Sequence, residues 1–180
     1  MHLLSHDFRE ILGAELVSVT GGLFAGLLLA SYIDKLALIP GLLIFLPGFL
    51  EMKGNISGSL SSRLSSGMFL GIVKPKFHRS RVLRGNVIAS FFLVVILSLI
   101  LGSIAYLVSS FVLGINAPQI ILVALIAGVI SNLIEIPLTV ATTFWLFRKG
   151  HDPNNIMGPY VTTLGDIVSI VALLIGILVV

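Results

Sequence analysis

Residues 155–180 read NIMGPYVTTLGDIVSIVALLIGILVV, and Asp166 is the one charged side chain in the stretch. A helix needs about 20 predominantly apolar residues to cross the hydrocarbon core of a bilayer, and this run supplies them. It lacks the alternation of a barrel strand. Asp166 comes about eleven residues into it, which at 1.5 Å per residue is roughly 16 Å along the helix, near the bilayer midplane. Pro159, Thr162, Thr163, Asp166 and Ser169 recur at i, i+3, i+4 and i+7 spacing, a polar stripe on an aliphatic helix.

The rest of the chain has the same character. Of 180 residues, 57% are hydrophobic and 11% charged, and the mean hydropathy is +1.12. A soluble domain carries about 25% charged residues. Eleven basic and eight acidic side chains cannot cover this much apolar surface, so the chain is an integral membrane protein. The pI of about 9.5 does not indicate a nucleic-acid module, because the excess charge is only +3. With no cysteine there is no disulfide framework, thiolate nucleophile or Cys-built zinc site. His2, His6, His78 and His151 are scattered without metal-ligand spacing.

Five spans are expected, at about 11–33, 36–73, 86–113, 118–147 and 155–180, forming one all-α membrane domain over 1–180 with no separate soluble domain. His6, Asp7, Arg9 and Glu10 break up the start, so the first span is not read as a cleaved signal. The second segment is long for one span. It contains Pro40, Pro47, Gly48, Gly54 and Gly58, and an interruption is expected near Gly54-Asn55. Freed carbonyls there can line an ion pathway. The competing reading is a packing face of Gly54, Gly58, Ser61, Ser62 and Ser65. Gly22, Gly26 and Ala30 read as a packing seam in the first span.

Lys74, Lys76, Arg79, Arg81 and Arg84 gather between spans two and three, and Arg148 and Lys149 follow span four. The positive-inside rule then puts the N-terminus in the cytoplasm of a plasma-membrane protein and the C-terminus outside. The other use of such a loop is a lipid-headgroup patch.

Ionisable residues at membrane depth mark functional sites by default, because burial there costs at least ~2.5 kcal/mol. Asp166 suits a hard cation, which takes carboxylate, carbonyl, hydroxyl and water oxygen; the alternative is a protonated Asp bonded to a neighbouring helix. Glu51 and the Asn55 amide flank the glycines of the second segment. Glu135, among Gly128, Ser131, Asn132, Thr139 and Thr142, reads either as a supporting carboxylate or relay, or as a neutral interhelical contact. Glu15 reads as an entrance residue, Lys53 as an ion pair with Glu51 or a gate, and Arg63 as a cation reaching for the interface or helix ends.

Two stretches resemble a known family. PGFLEMKGN at 47–55, continuing to SRLS at 62–65, is similar to the second transmembrane helix of the MgtE superfamily, closest to its eukaryotic solute-carrier branch. DPNNIMGPYVTTLGD at 152–166 resembles that family's motif in the last helix. The resemblance implies a transporter or channel for Mg²⁺ or a related divalent cation. Asp166 becomes the main ion-site residue, with Gly54-Asn55 near the pore. The pathway lies in a dimer with a second copy or a paralogous half-transporter. Only about ten residues precede the first span, so the cytosolic and CBS domains that close bacterial members are expected to be missing. The metal-site set is Asp166, Asn55, Gly54, Thr162, Thr163, Glu51 and Glu135.

Mg²⁺ dehydrates reluctantly, so a wide site that holds the ion through its waters suits it better than an all-protein cage. Protons compete with the cation for the carboxylates. A Na⁺- or H⁺-coupled exchanger is the alternative to a passive pathway. A membrane-embedded enzyme fits less well, since Gly58-Ser59 has no histidine at membrane depth and the acids are dispersed singly. A purely structural subunit is the remaining reading.

Overall fold

Asp152 starts the final helix. Its Oδ1 accepts the Asn154 backbone N–H at 2.8 Å, and Pro153 takes the first turn, where its missing N–H costs nothing. The computed structural model describes residues 2–39, 41–77 and 80–180, with side chains from residue 6 onward. Pro40, His78, Arg79 and the His2 side chain lie outside the described residues.

The described residues form the helices α1 (His2–Ser31), α2 (Ile33–Ala37), α3 (Leu42–Phe69), α4 (Arg81–Leu113), α5 (Gln119–Arg148) and α6 (Pro153–Val179). Four of them, α1, α4, α5 and α6, are long and apolar enough to cross a membrane. α3 matches them in length but carries Glu51, Lys53 and Arg63.

The expected interruption at Gly54-Asn55 is not there. α3 runs unbroken through both residues, and the chain breaks earlier, at Gly41, whose φ of 92° only glycine adopts readily. A glycine inside a helix costs about 1 kcal/mol relative to alanine. Unbonded backbone in hydrocarbon costs several times that, so the helix is kept. Gly54 and Gly58 face α6 instead, at distances where an added methyl would make only ordinary contact. A Cβ on Gly54 would stand 3.7 Å from Thr162 Oγ1, and one on Gly58 would stand 3.9 Å from Val161 Cγ2.

α6 packs against α1, α3 and α5, and α5 also packs against α3 and α4. α1 runs parallel to α6, since Asn155 meets Glu10 and Thr163 meets Ser18. Its seam of Gly22 and Gly26 faces open space, while Gly21 lies against Thr163, so Gly22-Gly26 is not a packing seam within the bundle.

Two large apolar clusters fill most of the interior, with a smaller one of Leu146, Met157 and Val161 beside them. One of the large two contains Phe45, Phe49, Ile120 and Leu173; the other contains Leu60, Leu64, Val140 and Phe144. Between them along α3 and α5 lies a buried polar belt of Lys53, Ser57, Ser131, Asn132 and Glu135. Arg81, Arg84, Arg148 and Lys149 sit at helix ends on the same side of the bundle as the start of α6.

Candidate functional site

The close approach of α3 to α6 leaves a groove of about 500 Å³ along the outside of their contact. Glu51, Gly54, Asn55 and Ser59 line one wall; Gly158, Thr162 and Asp166 line the other. Asp166 stands at the middle of the 27-residue α6. Glu51, Asn55 and Thr162 are exposed and Asp166 is partly buried, so the groove opens on the surface of the bundle.

Local helix geometry sets the polar groups. Glu51 and Asn55 are one turn apart, and Asn55 Nδ2 donates to Glu51 Oε1 at 3.0 Å. Thr162 Oγ1 donates back to the Gly158 carbonyl at 3.0 Å, which leaves its lone pairs free to accept. The lining therefore offers two carboxylates, an amide oxygen and two hydroxyls. These are oxygen donors suited to a hard divalent cation, with no thiolate or imidazole to favour a softer one.

Five of the seven expected site residues thus meet: Glu51, Gly54, Asn55, Thr162 and Asp166. The other two point elsewhere. Thr163 Oγ1 donates to Ser18 Oγ at 2.8 Å, tying α6 to α1. Glu135 lies inside the bundle, where Oε2 is 3.3 Å from Lys53 Nζ. At 3.6 residues per turn the stripe from Pro159 to Ser169 fans over about 120° of α6, wide enough to face three neighbours. Ser169 accordingly faces Glu135, at 3.3 Å.

Lys53 does not pair with Glu51. Positions i and i+2 point to different sides of a helix, so Glu51 is exposed while Lys53 is buried. The signal was present in the sequence, since Lys53, Ser57, Ser61 and Ser65 recur every four residues, and all four are buried. Arg63 is exposed and reaches Ser90 Oγ at 3.4 Å. Glu15 is exposed on α1, outside the groove.

A second polar cluster lies where α1 and α6 begin. His6, Asp7 and Glu10 lie close together there. Glu10 is already held by His151 Nδ1 at 2.7 Å and by Asn155 Nδ2 at 3.0 Å, so these contacts act as an interhelical clasp.

Over residues 46–176 the sequence matches MgtE, a family of divalent cation transporters. The chain belongs to the MgtE family. The matched region begins one residue before Pro47, a groove residue, and extends past Asp166, so both walls of the groove lie within it. No curated protein and no solved structure matches the chain. Divalent cation transport is the business of MgtE proteins, and the all-oxygen groove of this MgtE chain has the donor chemistry for such a cargo.

Proposed function

We propose that this MgtE chain carries Mg²⁺ across the plasma membrane, with Asp166 as the principal carboxylate of the pathway. The observation that carries this reading is the pairing of Asp166 with Glu51 and Asn55 in a groove that opens sideways from the bundle at mid-helix. Acidic groups turned toward hydrocarbon are costly. A second copy, or a paralogous unit, set groove to groove against α3 and α6 removes that cost and encloses the pathway.

Residues 1–180 form one membrane unit in this reading. α3 crosses the bilayer as a fifth span beside the four apolar helices, with Lys53 and Ser57 turned into the bundle and Glu51 and Asn55 turned toward the second copy. The helix ends bearing Arg81, Arg84, Arg148 and Lys149 face the cytoplasm, as does the N-terminus, and the C-terminus faces outward. In the pair, two Asp166 and two Glu51 side chains surround a cation that keeps much of its water, as the reluctant dehydration of Mg²⁺ favours. Glu51 is held in place by Asn55, and Thr162 supplies a hydroxyl for an ion-bound water.

Flux into proteoliposomes tests the proposal. The wild type is expected to take up Mg²⁺ down an imposed gradient, and Asp166→Asn to lose most of that flux while remaining folded. Wild-type flux in Asp166→Asn refutes it. Uptake that stalls until a Na⁺ or H⁺ gradient is applied converts the reading to an exchanger.

A further inference from the structure

Behind the groove, on the side turned into the bundle, one carboxylate of α5 meets both α3 and α6. Glu135 of α5 has Lys53 Nζ of α3 at 3.3 Å from Oε2. It accepts a hydrogen bond on Oε2 from Ser57 at 3.4 Å and on Oε1 from Ser169 of α6 at 3.3 Å. Both members of the ion pair are enclosed, Lys53 at 1% and Glu135 at 2% exposure. A Cβ on Gly165 would stand 3.7 Å from Oε2, so the carboxylate rests against the α6 backbone one residue before Asp166. Its partner Lys53 stands one residue before Gly54-Asn55. The same carboxylate thus bonds from behind to both helices that form the groove.

Cohesion alone does not account for such a pair. Two charges withdrawn from water recover little net stability, and well-packed apolar residues of similar volume commonly hold helices together equally well or better. What apolar residues lack is direction. Contacts from one carboxylate to Lys53, Ser57 and Ser169 fix the rotation of α3 and α6 about their axes, and that rotation decides where Glu51 and Asp166 point. The pair is also neutral as a unit, so the Lys53 ammonium does not oppose a cation in the groove.

We infer that Lys53 and Glu135 are positioning residues for the cation groove, a buried clamp that sets the spacing of Glu51 and Asp166 and hence how tightly a divalent ion is held. The inference rests on the groove being the cation site, as proposed above.

The test replaces both charges together, Lys53→Met with Glu135→Leu, so that neither is left buried alone. The double variant is expected to fold with a cation-free melting temperature close to wild type. Its half-saturating Mg²⁺ concentration should rise about tenfold or more, the usual effect of losing groups that orient ligands, with a smaller change in maximal rate. The chain has no cysteine, so spin labels at Ser62→Cys on α3 and Asn154→Cys on α6, both exposed positions, report the spacing of the walls without reference to transport. The clamp predicts a shifted or broadened distance distribution in the double variant. Wild-type half-saturation together with a wild-type distribution overturns it. If the double variant does not fold, Ser169→Ala removes only the tie to α6. A raised half-saturation and an altered distribution then support the clamp, and no change in either rejects it. Failure of the groove assignment shows separately, as undiminished flux in Asp166→Asn.

Discussion

Asn55 holds Glu51: the side-chain amide donates to the carboxylate at 3.0 Å across one turn of α3, on the exposed wall of the groove. A carboxylate that keeps one rotamer before the ion arrives has less freedom to lose when it binds. Asn55→Ala should therefore raise the half-saturating Mg²⁺ concentration several-fold, on the order of the ~1 kcal/mol net value of one hydrogen bond. Because Asn55 is exposed, the melting temperature should hardly move. Concentration-dependent uptake in proteoliposomes measures the first and a thermal scan the second.

Adjacent threonines should separate in the same assays. Thr162 lines the groove, whereas Thr163 donates to Ser18 on α1. Thr162→Val is expected to weaken apparent Mg²⁺ affinity with little loss of stability. Thr163→Val is expected to cost about 1 kcal/mol of stability from the lost hydrogen bond and to leave half-saturation unchanged.

Two glycines make opposite predictions about size. A Cβ on Gly102 would meet Ala124 Cβ at 2.8 Å and the Ile121 Cα at 3.1 Å, so Gly102→Ala forces α4 and α5 apart. A destabilisation of about 1–3 kcal/mol is expected, as for overpacked cores, and a thermal scan reads it. At Gly54 the same methyl meets Thr162 Oγ1 at an ordinary 3.7 Å. Gly54→Ala should therefore fold normally, while Gly54→Leu fills the groove and abolishes flux.

Acid should oppose the cation. Mg²⁺ binds a carboxylate as its anion, so protons and the cation compete for the lining. Half-saturating Mg²⁺ should thus rise when uptake is assayed at lower pH. A wild-type half-saturation that does not change as the pH is lowered would contradict carboxylate ligation.

Much of this architecture was legible from residue character alone. The uninterrupted apolar runs located α4, α5 and α6 to within about five residues, because a membrane span is defined by length and hydropathy, whereas α1 begins well before its expected start at residue 11. Asp166, Glu51 and Asn55 stood out because polar groups are rare at that depth. The course of α3 was less legible. Its glycines carry the same sequence signal whether they break a helix or let another helix approach, and only the neighbouring Thr162 and Val161 decide between the two. Glu135 and Thr163 share helical stripes with true groove residues, yet face Lys53 and Ser18, since a stripe of 120° exceeds the width of one contact. Which neighbour each part of a stripe meets is set by long-range packing that periodicity does not encode.

The most direct measurement is thermal unfolding of the purified protein in detergent, titrated with Mg²⁺, wild type beside Asp166→Asn. A cation that binds only the folded protein stabilises it by mass action, about 2.7 kcal/mol at a hundredfold excess over Kd. The wild type should show a saturable rise in melting temperature with Mg²⁺ and none with Na⁺ at equal ionic strength, and Asp166→Asn should lose most of that rise. An equal rise in both proteins would contradict a cation site built on Asp166.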